Sequence, residues 1–189
     1  MKTLVVVPHL DDETFGLSGT LQQLCYNQNN EVLVVSLCKG RKFDKSSESR
    51  IETFKSIANI IGYHYKIYGF DDLSLEYTPL SAITRIIEGV INEFEPKRVF
   101  TVSENDLHQD HKVTSHAVRI CCRPSRTNVK ELYEFEIPES EHFSKTYFDT
   151  VNNIDKEFKE KMCSLYSMEN IPNISDKEYF KTIYREFNA

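Results

Sequence analysis

Short unbroken apolar runs alternate with segments whose apolar residues recur every three to four positions. Residues 3–7 (TLVVV) and 31–37 (EVLVVSL) are dominated by β-branched and aliphatic residues, the pattern of strands buried on both faces. Between them, Phe15, Leu17, Leu21 and Leu24 have near-helical spacing over about 14–26. Ile51, Phe54, Ile57, Ala58 and Ile61 share one face of a second helix over about 47–61, with Gly62 placed to stop it. A third strand is predicted at 65–70. Leu80, Ile83, Ile87, Val90, Ile91 and Phe94 then form a strongly amphipathic helix that ends before Pro96. A fourth strand is predicted at 98–103 (RVFTVS), a helix at 111–122 and a half-exposed, alternating strand at 131–137 (ELYEFEI). Segments 155–168 and 176–187 read as helical.

Strands alternating with helices predict an α/β fold with a mostly parallel central sheet and helices on both faces. With 189 residues, no internal repeat and no long Pro/Gly/Ser linker, the chain reads as a single domain spanning 1–189. In such sheets ligands bind beyond the carboxyl ends of the strands, where strand order switches. The residues that follow positions 7, 37, 70 and 103 therefore matter most.

Two of those places carry dense chemistry. After the first strand comes Pro8-His9-Leu10-Asp11-Asp12-Glu13, and after the fourth comes Glu104-Asn105-Asp106-Leu107-His108-Gln109-Asp110-His111. Each has an ordinary explanation. An acidic run before a helix often serves as a cap, and a single HxxH is often a surface pair. Together, after two core strands, they favour a metal. Two histidines and a carboxylate suffice for a catalytic zinc with an open position, and a neighbouring carboxylate can act as general base.

Charge and composition narrow the rest. The net charge is −6, which disfavours a non-specific nucleic-acid binder, so no nucleic-acid partner is expected. No apolar run approaches a membrane span, and the first residues lack the apolar core of a signal peptide, so a cytoplasmic protein is expected. The five cysteines form no CxxC pair and read as buried free thiols.

The segments VVVPHLDDETFGLSGTL and HQDH, about a hundred residues apart, resemble the PIG-L/LmbE-like zinc deacetylases. The resemblance extends to the helix from Arg50 to IIGY, to GFDDLSL, and to FDTVNNIDKEFKEKMCSLYS. It implies a Rossmann-like three-layer sandwich and a zinc-dependent hydrolase that removes the N-acetyl group from a GlcNAc-type sugar, glycoconjugate or nucleotide-linked sugar. His9, Asp12 and His111 would bind Zn²⁺, or another divalent metal. Asp11 would be general base toward the zinc-bound water, His108 would stabilise the oxyanion, and Asp110 would orient the His108 ring. Arg50 and Asp72 would hold substrate hydroxyls or phosphate, or form surface salt bridges. Glu13 would cap the following helix or bond a ligand, and Gly16 and Gly19 would let that helix approach the sheet or substrate.

Leu10 and Gln109 stand where the family commonly has proline, and Thr53 and Ser167-Met168 also depart from its pattern, so specificity is expected to differ. The basic stretch Lys39, Arg41 and Lys42 would attract an anionic substrate or remain a solvated loop. His64, His116 and His142 have no readable partner. Related enzymes form oligomers, which makes a homo-oligomer an expectation for this small-molecule or glycan hydrolase. Two rivals stand beside this reading. One is a metal-dependent amidase for another substrate, such as a thiol–sugar conjugate or antibiotic precursor. The other is a non-catalytic Rossmann-like nucleotide or sugar binder, which Gly16 and Gly19 support only as a fragment of a dinucleotide fingerprint.

Overall fold

A computed structural model describes residues 1–27, 29–40, 46–137, 147–166 and 174–186. In chain order the elements are β1 (Lys2–Val7), α1 (Asp12–Tyr26), β2 (Glu31–Cys38), α2 (Ser46–Ile61), β3 (His64–Phe70), a 3-10 turn (Leu75–Tyr77) and α3 (Leu80–Phe94). They continue with β4 (Arg98–Val102), α4 (Gln109–Cys121), β5 (Glu131–Phe135), β6 (Thr150–Asn153), α5 (Lys156–Ser164) and β7 (Lys177–Arg185). The strands form one sheet in the order β3-β2-β1-β4-β5-β7-β6. The first five pair in parallel, and β7 runs antiparallel to both β5 and β6.

The period of two along the central strands divides the core into two layers. Val5 and Val7 of β1 pack with α1, α2 and α5 through Leu17, Leu21, Phe54, Ile57 and Met162. Leu4 and Val6 face the other way, against Ile83, Ile87 and Val90 of α3 and Ala117 and Val118 of α4. Helices thus cover both faces, as the alternating pattern predicts. From β1 the chain steps outward to β2 and β3, then crosses back to place β4 on the other side of β1. The switch in strand order therefore lies between β1 and β4, whose carboxyl ends carry the two chemically dense segments.

The end of the chain departs from the predicted helix at 176–187. Residues 177–185 (KEYFKTIYR) form β7, and β6 joins it at the sheet edge. Paired aromatics at 179–180 and Ile183-Tyr184 mimic a helical repeat, but β-branched and aromatic residues suit a pleated surface, and β5 supplies the partner strand. β5 is also more buried than its alternation predicts. The fully buried Glu134 carboxylate accepts from Ser115 Oγ at 2.6 Å, Arg119 Nε at 2.8 Å and Tyr147 Oη at 2.8 Å, which makes a polar residue tolerable there.

Gly16 and Gly19 serve close packing. A Cβ at Gly16 would lie 2.4 Å from the Phe135 ring, and one at Gly19 would lie 2.5 Å from Ile154. Several late aromatics join the core, including Phe148, Tyr166 and Phe180. The Tyr166 hydroxyl donates to the Leu10 carbonyl and so braces the segment after β1. All five cysteines are free, and four are buried, as expected. No helix among the described residues is long and apolar enough to cross a membrane.

Candidate metal centre and active site

The segment after β1 turns into α1 at Asp12. Asp11 occupies the N-cap position, yet its side chain makes no capping bond. The acidic run is therefore not spent on capping. Asp12 Oδ2 instead accepts from the backbone N–H of His9 at 2.9 Å, folding the carboxylate back over the imidazole. After β4, His108 caps α4 through Nδ1, which accepts from the Asp110 backbone N–H at 3.2 Å. The first turn of α4 then presents Asp110 and His111 to the β1 side.

These two segments meet. His9 Nδ1 lies 3.3 Å from Asp12 Oδ2, and His111 Nε2 lies 3.3 Å from Asp12 Oδ1. The two ring nitrogens are 3.3 Å apart. The other nitrogen of each ring faces a carboxylate. His9 Nε2 is 3.0 Å from Asp110 Oδ2, and His111 Nδ1 is 2.7 Å from Asp106 Oδ2. A carboxylate behind each imidazole sets ring orientation and tautomer for a ligating histidine. The converging nitrogens and carboxylate are buried, at 7% exposed for His9, 4% for Asp12 and 5% for His111.

The electrostatics fit a cation. Asp11, Asp12, Asp106 and Asp110 are all buried around this point. Burial alone would lower the pKa of His9, but Asp12 and Asp110 outweigh it and raise the value to about 10. His111 rises to about 9 by the same balance, with burial opposed by Asp12 and Asp106. Burial would raise Asp12, yet the two imidazoles hold it far below the usual carboxylate range. The carboxylates thus favour positive charge at both imidazoles. A divalent ion would meet the same demand, and His9, Asp12 and His111 present nitrogen and oxygen donors of the kind that zinc accepts.

Asp11 remains outside this triangle. Its Oδ2 is 2.5 Å from Arg50 Nη2, and Arg50 Nη1 reaches Asp72 Oδ2 at 3.2 Å. Burial and the neighbouring Asp12 raise the Asp11 pKa against the pull of Arg50. Arg50 and Asp72, expected as sugar contacts, are thus also the brace of the expected general base. His108 lies beside both of these rings, at centroid distances of 4.7 Å from His9 and 4.8 Å from His111. Burial, aided by the other two imidazoles, lowers its pKa. Because Nδ1 accepts from backbone, a neutral His108 carries its proton on Nε2 and is a donor there.

One expected contact is corrected. Asp110 meets His108 through its backbone N–H, which donates to Nδ1, and not through its carboxylate. The carboxylate faces His9, and it accepts from the backbone N–H groups of Leu73 at 2.7 Å and Leu75 at 3.1 Å. Leu73 reaches this position with φ of +62°. Glu13 is fully buried, and its Oε1 accepts from Thr14 Oγ1 and from Tyr63 Oη at 3.1 Å. Lys39, His64 and His116 are exposed. Arg41, Lys42, His142 and Ser167-Met168 lie outside the described residues.

Asp106 is the residue that the sequence reading missed. Its Oδ2 meets His111 and its Oδ1 accepts from the His108 backbone N–H at 2.9 Å. The available signal was chemical: a buried ligating imidazole needs an acceptor at its second nitrogen. We expect Asp106→Asn to weaken zinc binding about 10–100-fold, the usual cost of losing such a partner. Competition with a chromophoric chelator measures this, and unchanged affinity would refute it.

The model of the PIG-L family, described as GlcNAc-PI de-N-acetylase, matches residues 4–122. The chain belongs to the PIG-L family. Its match spans both motifs, from β1 through α4. The PIG-L chain is 28% identical over 178 residues to the probable N-acetyl-α-D-glucosaminyl L-malate deacetylase 2 of Bacillus cereus, covering 86% of this chain and 80% of that protein. Among solved structures it is similar to a deacetylase–teicoplanin complex from the teicoplanin biosynthesis pathway, with a TM-score of 0.79 and 16% identity over 98% of this chain and 99% of that one. It is also similar to GalB, the 4-carboxy-2-hydroxymuconate hydratase of Pseudomonas putida KT2440, with a TM-score of 0.70 and 18% identity over 100% and 99%. The shared fold therefore serves a hydration as well as a deacetylation, and the chemistry must be argued from the site.

Proposed function

We propose that this PIG-L chain is a metal-dependent N-deacetylase that hydrolyses the N-acetyl group of an N-acetylglucosaminyl conjugate, releasing acetate and a free amine. The observation that carries this reading is the triangle of His9 Nδ1, Asp12 and His111 Nε2, with separations of 3.3 Å and a carboxylate behind each ring. The relatives' names supply the substrate class. His9, Asp12 and His111 would hold zinc, which when bound acidifies a water and polarises an amide carbonyl.

The chain's own groups divide the remaining work. Arg50 occupies Oδ2 of Asp11, which leaves Oδ1 to take a proton from the attacking water. Asp11 then returns the proton to the leaving nitrogen, as breakage of the C–N bond requires. His108 Nε2–H donates to the oxyanion that develops on the carbonyl. Asp110 and Asp106 keep His9 and His111 from turning away. Arg50, with its side chain 27% exposed, is placed to meet a sugar hydroxyl or an anionic substituent while it holds Asp11, and Asp72 fixes its other nitrogen.

The test is product analysis. The protein is loaded with one zinc per chain and offered N-acetylglucosaminyl malate and other N-acetylated amino sugars. Acetate and primary amine should appear in equal amounts. Absence of acetate from every N-acetylated sugar would overturn the reading.

A further inference from the structure

Cys38 ends β2 at the same edge of the sheet as the metal centre. Its Sγ, a ring nitrogen of His9 and a carboxylate oxygen of Asp72 all lie within 4.8 Å of one another. The proposed function uses no thiol. Cys38 is completely buried, and the one hydrogen bond made by its thiol among the described residues is weak, from Sγ to the Asp71 carbonyl at 3.6 Å. Asp72 gives the second, independent observation. Its side chain is 8% exposed, and while Oδ2 pairs with Arg50, the buried Oδ1 has no hydrogen-bond partner among the described residues. A buried carboxylate oxygen without a donor is costly and asks for an explanation.

We infer that Cys38, Asp72 and His9 form a second cation site, selective for a thiophilic divalent ion and sharing His9 with the first. Thiolate, imidazole and carboxylate together suit zinc, cobalt or cadmium and discriminate against magnesium and calcium. On binding, the S–H bond breaks, its proton leaves to solvent and a sulfur–metal bond forms, with no change in oxidation state. An ion held there draws His9 out of the arrangement set by Asp12 and Asp110. Metal in excess of one equivalent is therefore inhibitory. Binding at this site stands independently of the deacetylase reading; the inhibition rests on it.

Cobalt separates the two sites. The metal-stripped full chain is titrated with Co²⁺ and its visible and near-ultraviolet spectra are followed. The nitrogen and oxygen ligands of the first site give visible d–d bands without a thiolate signal. Filling the second site adds a thiolate-to-cobalt charge-transfer band in the near ultraviolet. Cys38→Ser should retain the d–d bands, which also report that it is folded, and lose the charge-transfer band. Asp72→Asn should weaken the binding that produces this band by at least about tenfold, since even an outer partner is worth that much. Excess Co²⁺ should inhibit acetate release by the wild type but not by Cys38→Ser. A charge-transfer band that persists in Cys38→Ser, or that never appears in the wild type, would overturn the second site. Missing d–d bands would instead count against the first site, so the two readings fail separately.

Discussion

Asp11→Asn is expected to retain one zinc per chain while kcat falls by about 10²–10⁴-fold, the usual contribution of a positioned general base. The loss corresponds to about 2.7–5.5 kcal/mol of transition-state stabilisation. Asparagine matches aspartate in shape, and its amide oxygen can still accept from Arg50 Nη2, so the brace to Asp72 survives. The substitution removes only the capacity to accept a proton. Asp11 stands outside the ligand triangle, so metal content should not follow activity down. This uncoupling distinguishes a base from a ligand: loss of Asp12, His9 or His111 would lower metal content and rate together. KM should change little, because Arg50 and Asp72 keep their positions. The check is metal analysis of the variant beside steady-state acetate release. A kcat within a few-fold of wild type would remove Asp11 from the role, and loss of the zinc would make it a ligand.

How much of this was readable beforehand depends on what each residue answers to. β1, β2 and α3 declare themselves through local periodicity, and the switch between β1 and β4 follows from strands alternating with helices. That His9, Asp12 and His111 come together was legible because they sit in two short motifs, each directly after a core strand, and the family resemblance singled them out. Asp110 was not. The family resemblance paired it with His108, but the first turn of α4 aims its carboxylate at His9 and at the backbone of Leu73 and Leu75. Sequence distance carries no information about that direction. Asp106 was missed for the complementary reason, since only the fold reveals that His111 Nδ1 turns toward it. β7 was misread because its aromatic spacing fits two periods, and the deciding facts are non-local. β5 offers a strand edge, and Glu178 meets a lysine on α5.

That lysine carries the second large prediction. Lys159→Met should destabilise the fold by about 3 kcal/mol. Lys159 Nζ lies 2.9 Å from Glu178 Oε1, with the two side chains 4% and 0% exposed. Glu178 also accepts from the α1 backbone N–H groups of Gly19 at 3.0 Å and Thr20 at 2.8 Å. The carboxylate thus ties β7, α5 and α1 together on the face that supports the segment after β1. Removing one partner of a buried pair costs about 3–5 kcal/mol because the remaining charge is left uncompensated. The two N–H donors that Glu178 keeps place this case at the lower end. Methionine preserves most of the aliphatic stem, so packing loss adds little. For a chain of this size the change lowers Tm by about 6–12 °C. The exposed pair Lys130–Glu186 provides the contrast, worth less than about 1 kcal/mol. Adding Glu178→Gln to Lys159→Met should recover part of the loss, since an amide oxygen still accepts one N–H without a bare charge. Urea unfolding of the two variants measures both effects. A cost below about 1 kcal/mol for Lys159→Met would show that the pair does not hold the terminal strand to α1.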